Sequence, residues 1–124
     1  MKKLRLLSGG AAQGLVESVR SAFEAASGCA IEGTFGAVGA MKARLLAGEP
    51  ADLLILSRAL IDELVQAGHA TAASIKDVGA VPTSVAVRKV DDRPALRTTD
   101  DLRAALRASD EIHFPDPELA TAGI

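Results

Sequence analysis

The 124-residue sequence predicts an α/β fold: a three-layer, mostly parallel sheet with helices on both faces. Three observations predict it. Short apolar runs alternate with segments whose apolar residues recur at helical spacing, and strands separated by helices need crossover connections, so they run parallel. Leu53-Leu54-Ile55-Leu56 is apolar without interruption, the pattern of a central parallel strand covered on both faces. Loops of small residues follow the first two apolar runs, at the carboxyl ends of strands, where open α/β sheets collect ligands.

Leu4–Leu7 reads as a short buried strand. From about Ala12 to Ser27, Leu15, Val16, Val19, Ala22, Phe23 and Ala26 recur on one helical face, and Gly28 is a natural left-handed terminator. Ala30–Thr34 is a second strand, anchored by Ile31. A helix carrying Val38, Met41 and Leu45 follows, stopped by Gly48 and Pro50. After the third strand, Ser57 is placed to cap a helix whose buried face holds Leu60, Ile61, Leu64 and Val65. A polar, irregular stretch leads to Asp77. Thr83–Val90 reads as a strand, Thr99-Asp100-Asp101-Leu102 as the start of an amphipathic helix, and Ile112–Phe114 as a last short strand ended by Pro115-Asp116-Pro117.

Composition narrows the function. Apolar residues make up 48% and charged residues 24%, which is globular, and the net charge of −2 is spread without a basic stripe. Three Phe with no Tyr or Trp leave little for base stacking, so no nucleic-acid partner is expected. Arg5 interrupts the opening MKKLRLL, and no segment approaches the roughly 18 apolar residues of a membrane span, so a soluble chain without an export signal is expected.

The chemistry sits in the loops. Ser8-Gly9-Gly10-Ala11-Ala12-Gln13-Gly14 follows the first strand, Gly36-Ala37-Val38-Gly39 the second, and Ser57 the third. Helix N-termini present unpaired N–H groups and partial positive charge, so converging N-termini make an anion site. No Lys, Arg, Asp or Glu lies within 8–16 or 33–41. A site made of N–H and O–H donors suits a fully deprotonated oxyanion, whereas a protonated phosphate also wants a carboxylate acceptor. Neither a G-x-G-x-x-G nor a Walker loop is present.

LRLLSGGAAQGL, GTFGAVGAMKARLLAGEPADLLIL and FPDPELATAG, in this order and at these spacings, resemble the periplasmic molybdate-binding family, the solute receptors of ABC transporters with the type II periplasmic-binding fold. The resemblance implies that Ser8, Gly9 and Gly10 hold one side of a molybdate or tungstate ion. It implies a second contribution from Ala37 and Val38, and a third from the backbone of Thr121 and Ala122. Ser57 stands beside them. Family members often carry Ser where this chain has Ala37, which leaves the backbone N–H there. The family has two lobes and about two domain units of chain. Residues 1–80 are therefore expected to be the first lobe, and 81–124 the crossover and the start of an incomplete second lobe. The chain reads as an N-terminal part, with an aromatic hydroxyl contact lying further on. Exposed sheet edge and helix faces in such a second lobe predict self-association. The implied partners are the ABC transporter's membrane subunits, and the implied location is periplasmic, with a cytoplasmic one left open by the missing signal peptide.

No catalytic residue, metal or cofactor is expected. Cys29 reads as a small hydrophobe, and His69 and His113 lack a partner at metal spacing. Asp91-Asp92 and Asp100-Asp101 read as a solvated turn and a helix start, and Asp116 as a turn former. Two other functions compete with oxyanion capture: a cytosolic ligand-sensing domain of the same fold, and a small α/β enzyme, for which the loops lack an acid–base group.

Overall fold

The computed structural model describes residues 1–120. They divide into two compact units, one of residues 1–80 with 115–120, the other Val81–Phe114.

The first unit is α/β, with a small parallel sheet. Strand β1 (Lys2–Gly9) is followed by a 3-10 turn (Gly10–Ala12) and helix α1 (Gln13–Ser27). Then come β2 (Cys29–Gly36), α2 (Val38–Leu46), β3 (Leu53–Ile55) and α3 (Arg58–Gln66). The strand order is β2-β1-β3, all parallel. The chain leaves β1 toward one side, returns, and adds β3 on the other. Right-handed crossovers then place α1 and α2 on opposite faces, and β1 becomes the switch point. Leu6 and Leu7, neighbours pointing to opposite faces, are both buried, and Val16, Val38, Met41, Leu60 and Leu64 complete the core.

The central strand is thus β1, not the apolar run at Leu53–Leu56. β3 pairs with β1 on one side and with no described strand on the other, and Leu53 is 45% exposed. Apolar continuity reports affinity for burial, not which neighbours a strand finds. The α1 face also differs from expectation. Val16 alone is buried on that helix, while Leu15, Val19 and Phe23 stand half-exposed in a stripe at i, i+4 and i+8. Gly28 ends the helix at φ 67, as its position predicts.

The outer edge of β2 is covered by side chains of α1. Glu24 accepts from the Ile31 N–H at 2.9 Å, and the Arg20 guanidinium donates to the Ile31 carbonyl. Arg20 is itself gripped by Glu17 through two hydrogen bonds. Unpaired edge groups invite foreign strands, and here an ion-paired cluster occupies them.

At the opposite end of the sheet Arg5 and Asp52 close a ring. The Asp52 carboxylate accepts from the Arg5 backbone N–H and from Nε, both at 2.9 Å, and from Nη2 at 2.8 Å, while the Asp52 N–H donates to the Arg5 carbonyl. The Arg5 hydrogen bonds, side chain first and backbone second, hold the Asp52 carboxyl far below the usual carboxylate range. A depressed native pKa stabilises fully above the unfolded value of roughly 4, and that contribution is lost as pH falls through the lower native value. Asp52→Asn is therefore expected to lower the urea midpoint at neutral pH and to flatten its fall below about pH 4. Circular dichroism across the acid range checks this. An acid limb unchanged by the substitution would remove the pair from the account.

The second unit contains helix α4 (Thr99–Ala108). Thr98 and Asp101 form a reciprocal capping box: Thr98 Oγ1 accepts from the Asp101 N–H and Asp101 Oδ2 from the Thr98 N–H. Backbone N–H groups of Arg97 and Thr98 pull the Asp101 pKa down. The expected strands at Thr83–Val90 and Ile112–Phe114 carry no ladder, and Val81, Val85, Val87 and Val90 are exposed. β-propensity becomes a strand only when a partner supplies the other half of each hydrogen bond.

Candidate functional site

The two small-residue loops and Ser57 all follow strands at the carboxyl end of the sheet. Register sets Ser8 opposite Phe35 and Ile55, and Gly9 opposite Gly36, so the strands end together. A Cβ on Gly9 would stand 2.8 Å from Val38 Cγ1 and 3.7 Å from the Ile55 carbonyl, and one on Gly10 3.8 Å from the Gly36 carbonyl. Gly9 has ordinary extended dihedrals, φ −58 and ψ 142. Space, not a left-handed backbone, is why this position is glycine.

Each residue singled out from sequence can now be placed. Ser8 is 0% exposed, and its hydroxyl donates to the Gly9 carbonyl at 3.0 Å, so it faces the interior. Gly9 is buried and Gly10 exposed at the start of the 3-10 turn. That turn continues directly into α1, with the Gln13 N–H donating to the Gly10 carbonyl. The first helix therefore begins with donors partly consumed. Ala37 is the N-cap of α2, exposed, and its methyl can accept nothing. Val38 is the first helical residue, with its side chain buried. Thr121 and Ala122 lie outside the described residues.

Ser57 is the N-cap of α3 in extended conformation, φ −63 and ψ 151, yet its side chain makes no capping bond. Its Oγ is buried and has no hydrogen-bond partner among the described residues. A buried hydroxyl without a partner costs roughly 1–3 kcal/mol, and such groups mark strain, function or a guest. The charge nearest in sequence is Arg58, which donates to Asp62 at 3.0 Å and to Asp77 at 3.2 Å. Asp62 first, then Asp77, raise its pKa, so it remains a paired cation.

Gly39 was not singled out from sequence as a contact, although it closes the second loop. Its N–H donates to the Leu119 carbonyl at 2.8 Å, across most of the chain. The available signal was a glycine inside the first turn of a helix, where it costs about 1 kcal/mol against Ala and needs a reason such as close approach. That reason is printed in the geometry: a Cβ there would stand 2.8 Å from both the Glu118 carbonyl oxygen and Leu119 Cα.

Among the described residues no group of His, Cys, Asp or Glu could hold a metal ion, and no helix is long and apolar enough to cross a membrane. Cys29 is half-buried at the start of β2, His69 is exposed, and His113 is exposed with Nε2 3.0 Å from Glu111. Asp116 forms its turn, its Oδ1 accepting from the Glu118 N–H at 2.8 Å.

What this end of the sheet offers is two helix N-termini, α2 and α3, an orphaned hydroxyl, and no charged side chain within 8–16 or 33–41. Such a set is rich in hydrogen-bond donors, and its first two loops hold no carboxylate, imidazole or amine to take up a proton.

Comparison with known proteins gives two findings. The family model described as bacterial extracellular solute-binding protein matches residues 4–124. An aconitate isomerase from Pseudomonas sp is 27% identical over 118 residues, covering 91% of this chain and 45% of that protein. The chain thus spans about half the length of the curated relative it matches.

Proposed function

The chain belongs to the bacterial extracellular solute-binding protein family, and from that premise we propose that it captures a small, fully deprotonated oxyanion of the molybdate or tungstate kind for ABC-type import. The observation that carries the reading is that the Gly9–Gly10 loop and the starts of α2 and α3 lie at one end of the sheet, with a buried Ser57 hydroxyl unpartnered among the described residues and no charged side chain in the first two loops. Oxygen atoms that only accept are matched by groups that only need to donate. The same observation argues for binding over catalysis, since an enzyme at this end would need an acid or base the loops lack. On this reading the receptor works in the periplasm and delivers to membrane subunits of its transporter.

A second reading has one observation in its favour, the relative named aconitate isomerase. It takes an aconitate-like organic carboxylate as the ligand. Carboxylate oxygens also only accept, but a carbon skeleton needs apolar lining as well as donors.

A thermal melt followed by circular dichroism separates the readings. Ligand at about 100 times its dissociation constant adds about 2.7 kcal/mol, or roughly 11–22 °C for a unit of this size. Molybdate and tungstate are expected to raise the midpoint, with phosphate and aconitate leaving it unmoved. A shift with aconitate alone would transfer the assignment to the carboxylate reading. A melt indifferent to every anion would withdraw the binding assignment for these residues.

A further inference from the structure

Strand β2 is the longer of the two sheet edges, eight residues against three in β3. A long edge is the better template for a foreign strand, and a short one blunts itself. In a parallel ladder the N–H and C=O of one residue face the same side, and those of the next residue face the other. Both groups of Ile31 point outward, and α1 meets both: Glu24 Oε1 accepts from the N–H at 2.9 Å, and Arg20 Nη1 donates to the carbonyl. A neighbouring strand would bond that residue in the same way, with one acceptor and one donor. Two residues earlier on the same edge, the Cys29 N–H donates to Ser27 Oγ at 3.1 Å. Glu17, Arg20, Glu24 and Ser27 succeed one another at spacings of three, four and three residues, so they form a single stripe on α1.

We propose that Arg20 and Glu24 stand in for a strand at the β2 edge and so keep two copies of this chain from pairing β2 to β2. Two such edges related by a twofold axis run antiparallel and present the same groups to each other, which makes a second copy the partner excluded. The two side chains reach Ile31 as one assembly. Glu17 holds the Arg20 guanidinium through hydrogen bonds of 2.9 and 2.7 Å, and Arg20 Nη1 lies 3.6 Å from Glu24 Oε1. Bonds to charged groups are the strong ones, so an incoming strand must break two of them before it gains any at Ile31. The cover ends there. Gly33, the next residue facing outward, is exposed. The closed half of the edge leaves too few open rungs for a stable pair, since an isolated two-stranded pairing is marginal even when complete.

The double variant Arg20→Ala/Glu24→Ala removes both groups together, and alanine suits a helix. Sedimentation velocity with interference optics, which needs no aromatic side chain, compares it with the parent over a range of concentrations. The variant is expected to self-associate about tenfold more tightly, the equivalent of one charge-assisted hydrogen bond. Arg20→Lys/Glu24→Gln keeps a donor and an acceptor for Ile31 and is expected to stay near the parent. Hydrogen exchange locates the contact. In the parent the Ile31 amide is expected to be protected at every protein concentration. In the alanine variant the Ile31 and Gly33 amides are expected to exchange freely when dilute and to slow as concentration rises. Association no tighter than the parent's would overturn the proposal. So would tighter association with those two amides still exchanging freely, because the contact would then lie elsewhere. A variant that lost its α/β circular dichroism spectrum would overturn it too, by making the pair a requirement for folding rather than for keeping copies apart.

Discussion

Leu64→Ala is expected to destabilise the first unit by about 2–5 kcal/mol, the range for emptying a closed Leu site. Leu64 is 1% exposed, the most enclosed large side chain described, and it lies on α3 with Leu60 on the same buried stripe. A unit of about 80 residues holds roughly 4–12 kcal/mol in total, so one truncation removes a large share. The core around it is small: seven apolar residues are buried among those described, against a long register of half-exposed Leu and Val. Urea denaturation followed by circular dichroism measures the loss, since the chain has no Trp or Tyr to report. A midpoint within experimental error of the parent would mean that α3 is not packed as described. Substitution of the exposed Leu15 in α1 serves as the control and is expected to cost far less, because its side chain is 47% exposed.

Gly9→Ala is expected to cost about 1–3 kcal/mol by overpacking. The new methyl would stand 2.8 Å from Val38 Cγ1, and Val38 is 5% exposed on a helix, where a β-branched side chain has essentially one rotamer to occupy. Backbone strain is not the cause, because the Gly9 dihedrals suit any residue, and a loss of unfolded-state freedom would favour Ala by a few tenths to about 1 kcal/mol. The steric origin is separable in a double-mutant cycle. Val38→Ala removes the obstructing methyl, so the cost of Gly9→Ala should largely vanish in that background, a coupling of roughly 0.5–3 kcal/mol. Strict additivity of the two substitutions would show that Gly9 and Val38 do not touch. Because this contact seats the first turn of α2, Gly9→Ala should also weaken any anion bound there.

Much of the first unit was legible locally. Apolar runs at Leu4–Leu7 and Ala30–Thr34, and the helical period from Leu15 to Ala26, each lie inside a single element. Gly28 ends a helix because a left-handed terminator is a property of one residue. The loops after the strands were legible for the same reason, since small residues at strand ends serve tight turns wherever they occur. Asp100 and Asp101 announced the start of α4, because acids are favoured in a helix's first turn, while the capping box with Thr98 emerged only in the structure.

Other features were decided only in three dimensions. Thr83–Val90 has the composition of a strand and no ladder, because a strand is completed by a partner and composition does not provide one. Ser8 heads the most conspicuous loop yet turns its hydroxyl inward to Gly9, while the buried Ser57 hydroxyl has no partner among the described residues. The donor at Gly39 is taken by Leu119, a residue from the far end of the chain.

By itself, then, the sequence determined the α/β class, the succession of strands and helices through Gln66, and the collection of small, uncharged residues at strand ends. These depend on periodicity and on residue chemistry within a few positions. The tertiary structure decided that β1 is central and β3 lies at an edge, which hydroxyl is satisfied, and which helix N–H is already occupied. Those are pairings between residues distant in sequence, and a hydrogen-bonding group carries no local mark of the partner that will reach it.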